Sequence, residues 1–132
     1  DLIENFVPEV IRWQTPLAYM RRTATRDIEL RGKKIKKYDQ LLMWYLSANQ
    51  DEDVFTNANV LDIERHNADR QLSFGYGIHF CMGSRIAELQ LRIVWEEILK
   101  RFKRIEIQDE PERVFSSFVH GYSNLPVTVK RR

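Results

Sequence analysis

The richest chemistry in these 132 residues gathers around their single cysteine, Cys81, near the end of Phe74-Gly75-Tyr76-Gly77-Ile78-His79-Phe80-Cys81-Met82-Gly83. A helical pattern begins just after it, at Ser84. The thiol therefore faces unsatisfied backbone N–H groups and the positive end of a helix, which together favour the thiolate. A thiolate is a soft metal ligand. Gly75, Gly77 and Gly83 lack the Cβ that would keep the backbone away from something large and flat. Phe74 is placed to pack beside the sulfur and restrict water, and His79 to offer a donor at a cofactor's edge. Two plainer readings compete: a lone cysteine is commonly a small buried hydrophobe, and a glycine-rich turn before a helix also cradles phosphate.

A second feature lies far upstream. Glu9-Val10-Ile11-Arg12 sets a carboxylate and a guanidinium three apart on one helical face, close enough for a charge-assisted hydrogen bond. By itself such a pair is ordinary on a solvated helix.

The elements that must position these residues follow from periodicity. Ile3, Phe6, Val10 and Trp13 recur at helical spacing, so a helix runs from about Ile3 to Gln14, with Pro8 as an early-turn residue or kink and Thr15-Pro16 as its stop. Asp27 to Leu30 alternates, and Arg31-Gly32 turns it into Lys33 to Lys36, a short hairpin. The apolar run Leu41 to Leu46 reads as a buried strand. Asn49 to Arg70, rich in Asn and Asp, has neither period and marks a long irregular segment. From about Ser84 to Phe102 a long helix carries Ile86, Leu89 and Ile93 on one stripe, widened by Leu91, Trp95, Ile98 and Phe102. Glu88–Arg92, Glu96–Lys100 and Glu97–Arg101 stand four apart along it. Beyond lie Ile105 to Ile107, a turn near Asp109-Glu110-Pro111, and strand-like pieces at Ser117–Val119 and Val127–Val129.

Composition narrows the class. With Lys+Arg 21 against Asp+Glu 19 and a net charge of +2, the chain is too balanced for a protein built around nucleic acid phosphates. One cysteine forms no internal disulfide, which favours a reducing, cytoplasmic setting over a secreted scaffold. The longest apolar run, Leu41 to Leu46, is far short of the roughly 20 residues of a membrane span, and no membrane anchor or signal peptide is visible. The opening, Asp-Leu-Ile-Glu, reads like the middle of a helix and suggests a piece of a longer protein.

The segment from Phe74 to Gly83 resembles the heme-binding loop of the cytochromes P450, with phenylalanine, two glycines, a basic residue, the ligand cysteine and a final glycine in the family's order. Glu9-x-x-Arg12 resembles the family's other fixed motif, on the helix that braces the cysteine loop. The resemblance runs from near residue 3 to Val129 and implies a mainly α fold with small β-sheets, the C-terminal, heme-binding part of the P450 fold across residues 1–132. It implies heme b (iron protoporphyrin IX) with Cys81 as the proximal thiolate, and Phe74, Gly75, Gly77, His79 and Gly83 against the cofactor. His79 matches a propionate-binding position, and Arg22 a second one, with adjacent Arg21 as the alternative register.

The family also implies an arginine in the irregular segment, in a Pro-Glu/Asp-Arg-Phe context. Here the stretch reads Asn57-Ala58-Asn59-Val60-Leu61, with Val60 at the arginine's place and Arg65 as the candidate substitute. Tyr38 stands where relatives usually have glycine, and Glu52 where they usually have proline.

The activity so implied is insertion of one oxygen atom of O2 into a C–H bond, with electrons from a ferredoxin and its reductase. Arg85 and Arg92, on the helix after the cysteine, could face an acidic electron donor or simply a solvated surface. Arg12-Trp13-Gln14-Thr15-Pro16-Leu17, Met43-Trp44-Tyr45, Ala87 to Ile93 and Gly121-Tyr122 look like the bacterial terminal hydroxylases of medium-chain alkanes and fatty acids. By family position Leu17, Ala18, Phe118 and Val119 point at an apolar substrate over the heme. The long distal helix with its acid–alcohol pair has no counterpart here, so the 132 residues alone are expected not to form a competent monooxygenase. A peroxide-using heme-thiolate enzyme and a heme-binding or heme-sensing module share the proximal loop and stand as alternatives.

Overall fold

The computed structural model describes residues 2–132. Its first helix, α1 (Leu2–Gln14), lies where the periodicity puts it and buries Val7, Glu9, Ile11 and Arg12. It packs along α3 (Ser84–Arg101), where Phe6 and Trp95 meet edge to face at 4.9 Å. Arg92 of α3 reaches back to Glu4 of α1 at 3.2 Å, so the expected Glu88–Arg92 pairing gives way to a bond between helices. Of the two apolar stripes on α3, Ile86, Leu89 and Ile93 are exposed, while Leu91, Trp95 and Ile98 are part-buried.

Between these helices the chain forms short antiparallel pairs. Strand β1 (Tyr19–Thr23) pairs with β4 (Gln40–Trp44), from Tyr19↔Trp44 to Thr23↔Gln40. Inside that pair, β2 (Ile28–Leu30) and β3 (Lys33–Ile35) form the expected hairpin. Its turn residues Arg31 and Gly32 both have positive φ, 48° and 74°, the combination of a type I′ turn. Tyr38 also has a left-handed φ of 74°. That accounts for the glycine preference at its position, since a side chain there costs about 1–2 kcal/mol.

The reading of Leu41–Leu46 as one buried strand is corrected. Strand β4 ends at Trp44, its residues alternate between exposed and part-buried, and Tyr45 begins the one-turn helix α2 (Tyr45–Ala48). Leu42 and Trp44 face outward beside inward-facing Leu41 and Met43, so apolar side chains on both faces hide the period of two. Of the two strand-like pieces expected near the C-terminal end, 127–129 lies in a strand and 117–119 does not. Strand β5 (Phe102–Ile107) pairs with β8 (Val127–Arg131), and β6 (Glu112–Arg113) with β7 (Tyr122–Asn124). Residues 117–119 form no strand with 127–129; Val119 instead bridges back to Leu17.

The irregular segment from Asn49 to Arg70 holds little regular structure beyond the single 3-10 turn Ala68–Arg70, yet it contributes much of the core: Phe55, Ala58, Arg65 and Ala68 are buried. Among the described residues no helix is long and apolar enough to cross a membrane.

Candidate functional site

The site starts from α1. Asn5, Glu9, Arg12 and Trp13 fall at i, i+4, i+7 and i+8, a polar stripe on one face of the helix, and all four bond the irregular segment. Asn5 Nδ2 donates to the carbonyl of Ile63 (2.6 Å), and Trp13 Nε1 to that of Asn59 (2.9 Å). Glu9 and Arg12 are fully buried and joined at two atoms, Nε to Oε2 at 2.7 Å and an η nitrogen to Oε1 at 2.8 Å. The remaining N–H groups of Arg12 go to the carbonyls of Asn49 (2.6 Å), Ala58 (2.8 Å) and Val60 (3.1 Å).

Arg65 completes the cluster. Its Nε lies 3.1 Å from both Glu9 oxygens, and its η nitrogens donate to the carbonyls of Thr56 (2.7 Å), Asn57 (3.2 Å) and Val60 (3.1 Å). The arginine sought at Val60 is thus supplied from five positions on; Val60 contributes its carbonyl, while its side chain is half-exposed. Both guanidinium groups lie near the ring of buried Phe55, at 5.1 and 6.0 Å. Burial on its own would raise the pKa of Glu9. Hydrogen bonds from Arg12, the Asp62 N–H and Arg65, with the charge of Arg12, outweigh it and hold the carboxyl below its ordinary 4.5.

The backbone carbonyls of Asn49, Thr56, Asn57, Ala58 and Val60 therefore find donors in two arginine side chains, which helps a segment with no ladder of its own stay folded. From this brace the chain passes to the cysteine loop. The Cys81 N–H donates to the Phe74 carbonyl (2.9 Å) and the Gly75 N–H to that of Leu72 (2.8 Å), closing the loop on its own root. Gly75 and Gly77 adopt φ of 75° and 74°, a conformation that only glycine takes freely. A Cβ on Gly75 would also stand 3.1 Å from the Tyr45 hydroxyl. Gly83 is different: its φ is negative, and a Cβ there would meet the Cys81 sulfur at 3.8 Å. Phe74 and Phe80 pack ring edge to face at 6.2 Å.

Cys81 is exposed, three residues ahead of the first residue of α3, and lines a cavity of about 570 Å³. That volume lies within the range of small-molecule sites. Ile11, Leu17, Met20, Phe74, Ala87 and Leu91 give it an apolar wall, and Arg22 and His79 add two basic side chains. Along β1, Met20 and Arg22 are part-buried and line the cavity, whereas Arg21 is exposed. Among the described residues no three His, Cys, Asp or Glu side chains gather to hold a metal. An ion on Cys81 would take its other ligands from a cofactor, and a flat macrocycle with acidic substituents suits one thiol, an apolar wall and two bases.

The four residues expected to face substrate are drawn together but not equally placed. Leu17 lines the cavity and forms a β-bridge with Val119. Ala18 is buried behind it, taking the Leu46 N–H on its carbonyl and donating to the carbonyl of Phe118 at 2.9 Å. Phe118 packs on Tyr19 at 5.4 Å. Of the two arginines considered for an electron donor, Arg85 is exposed and Arg92 is engaged with Glu4.

Sequence reasoning missed Asn49, Thr15, Ser73 and Tyr45. Asn49 and Thr15 are fully buried and Tyr45 nearly so, and Ser73 and Tyr45 line the cavity. An Asn in an Asn- and Asp-rich stretch carries no mark of burial.

Comparison with known proteins agrees with this geometry. The family model for cytochrome P450 matches residues 1–129. The methyl-branched lipid omega-hydroxylase of Mycobacterium tuberculosis is 42% identical over 128 residues, 96% of this chain and 30% of the hydroxylase. Linalool 8-monooxygenase of Pseudomonas putida is 40% identical over 98% of this chain and 32% of its own. Among solved structures, cytochrome P450-153 from Novosphingobium aromaticivorans superposes with a TM-score of 0.92 at 53% identity, covering 98% of this chain and 33% of that one. The chain spans about a third of the length of these relatives.

Proposed function

The chain belongs to the cytochrome P450 family, and from that premise we propose that it is the cysteine-bearing part of a heme-thiolate monooxygenase acting on the terminal C–H bonds of medium-chain alkanes or fatty acids. The observation that carries this reading is Cys81 on the wall of an apolar cavity that also holds Arg22 and His79. Heme b fits that set. Cys81 would ligate the iron, and Arg22 and His79 would pair with the propionates, which are costly to bury unpaired. When bound, a thiolate-ligated heme would supply an iron centre that favours cleavage of the O–O bond, so that, with two electrons from a redox partner and two protons, one oxygen atom of O2 enters a C–H bond and the other leaves as water.

The chain's own residues then have separate tasks. Glu9, Arg12 and Arg65 hold the irregular segment against α1. Phe74, which lines the cavity with Cys81 and packs on Phe80, would restrict water beside the sulfur. Leu17, with Ala18, Phe118 and Val119 behind and beside it, offers an apolar surface to a substrate that has no polar handle and is held by shape and burial. Arg85 faces solvent and is available to an acidic electron donor, a ferredoxin served by its reductase. The name of the mycobacterial relative, an omega-hydroxylase of lipids, supports attack at a chain end.

Product analysis of the full-length protein with a ferredoxin, its reductase, octane and octanoic acid tests the proposal. A primary alcohol or an omega-hydroxy acid is expected. Exclusive attack at internal carbons would contradict the regiochemistry, and turnover supported by peroxide but never by O2 and electrons would contradict the reaction type.

A further inference from the structure

We propose that Asn49 is a positioning residue for Cys81: its side-chain amide fastens the root of the cysteine loop to the end of α1 and so sets where the sulfur stands. This rests on the reading of Cys81 as a heme ligand, but its observations are independent of any cofactor. Asn49 is fully buried, and both N–H bonds of its amide and its carbonyl oxygen have partners. Nδ2 donates to Thr15 Oγ1 and to Ser73 Oγ, both at 2.9 Å, and Oδ1 accepts the Leu72 N–H at 2.7 Å.

The direction of these bonds is fixed by their neighbours. Thr15 Oγ1 spends its single proton on the Arg12 carbonyl (2.6 Å), and Ser73 Oγ spends its proton on the Ile11 carbonyl (2.8 Å). Each hydroxyl can then only accept, so each needs a donor, and the Leu72 N–H needs an acceptor. A side chain of this size with two N–H bonds and one carbonyl oxygen meets all three demands. Aspartate has the same shape and supplies no donor.

Asn49 also joins the two halves of the site. Its backbone carbonyl takes an Arg12 N–H at 2.6 Å, within the Glu9–Arg12–Arg65 cluster, and its own N–H bonds the carbonyl of Tyr45, whose hydroxyl backs Gly75. On the far side, Leu72 and Ser73 lead directly into Phe74 and Gly75. The Leu72 carbonyl holds the Gly75 N–H, and the Phe74 carbonyl holds the N–H of Cys81 itself. Arg12 and Arg65 grip the irregular segment; Asn49 passes that grip to the cysteine loop.

The test uses full-length protein carrying Asn49→Asp, Ser73→Ala or Thr15→Val, with Val7→Ala as a destabilised control whose buried side chain lies on α1 outside this network. Heme content, Tm, the iron's reduction potential and the share of the reduced carbon monoxide complex absorbing in the thiolate-ligated band are measured for each. Asn49→Asp is expected to lose the larger part of that band and to shift the potential. Ser73→Ala, which removes one of the two loop-side bonds of the bridge, should do so to a lesser degree. Val7→Ala should lower Tm and leave band and potential unchanged. If Asn49→Asp does not fold, Ser73→Ala and Thr15→Val decide by the same measurements. Heme-loaded variants with wild-type band and potential, and only a lowered Tm, would overturn the proposal. A wild-type protein that binds heme without a thiolate band would overturn the ligand assignment and this inference with it.

Discussion

Two clusters in this molecule are built from the same parts, one carboxylate and two cations. Glu9 sits between Arg12 and Arg65 at 2.7 and 3.1 Å, and Glu97 sits between Lys100 and Arg101 at 3.1 and 2.7 Å. Each includes an i,i+3 pair on a helix, and in each the carboxyl is held below its ordinary pKa. For Glu97 this comes from the Lys100 hydrogen bond and the charges of Lys100 and Arg101; for Glu9 it comes in spite of burial. What separates them is exposure: 0%, 0% and 4% for the side chains around Glu9, against 41%, 66% and 69% around Glu97. The buried arginines also satisfy five backbone carbonyls between Asn49 and Val60, whereas the surface cluster joins only side chains of its own helix. Spacing and distance are therefore silent about what an ion pair does, and the carbonyls around it decide.

Replacing Arg12 by Ala should have the largest effect. It leaves Glu9 short of a partner and orphans the carbonyls of Asn49 and Ala58, while Val60 keeps Arg65, so a loss of about 3–5 kcal/mol is expected in chemical denaturation of the full-length protein. A loss under about 1 kcal/mol would place the cluster with ordinary surface pairs. Arg65→Ala should cost less, about 2 kcal/mol, because Glu9 keeps Arg12. Adding Val60→Arg to it should restore nothing, since the half-exposed Val60 meets the cluster through its carbonyl.

The acid limb of stability sharpens the contrast. Because the folded-state pKa of Glu9 is below 4.5, the unfolded chain takes up its proton first as pH falls. Its contribution is complete well above pH 4.5 and drains away as the pH drops through the lowered folded value. Glu9→Gln should be less stable at neutral pH and should flatten this part of the stability–pH curve; an unchanged acid limb would show that Glu9 does not report the cluster. At the small end, Glu97→Ala should leave the denaturation midpoint unchanged at moderate salt, since its partners are well exposed.

How far the sequence discloses this arrangement depends on whether a feature is local. The long helix α3, the β2–β3 hairpin and α1 follow from short-range period and turn chemistry, and the glycine-rich cysteine loop from its ten consecutive residues. Strand β1 was hidden because Arg21-Arg22 interrupts any apolar alternation, although Arg22 turns inward. Strand β8 pairs with β5 across about twenty intervening residues, a choice no local pattern records. Arg65 is legible as the candidate substitute for the arginine absent at Val60, but its hold on Glu9 and on the carbonyls of Thr56, Asn57 and Val60 depends on folding that no local pattern records. Asn49 left no trace at all: its burial depends on three partners that are distant in sequence from it or from one another.

The central claim is that Cys81 is the iron's protein ligand, and the most direct measurement compares full-length wild-type protein with Cys81→Ala in the reduced carbon monoxide complex. The wild type should bind heme and show the thiolate-ligated band, and Cys81→Ala should lose that band whether or not heme remains bound. A band that persists in Cys81→Ala, or heme-loaded wild type that never shows it, would contradict the assignment of the sulfur.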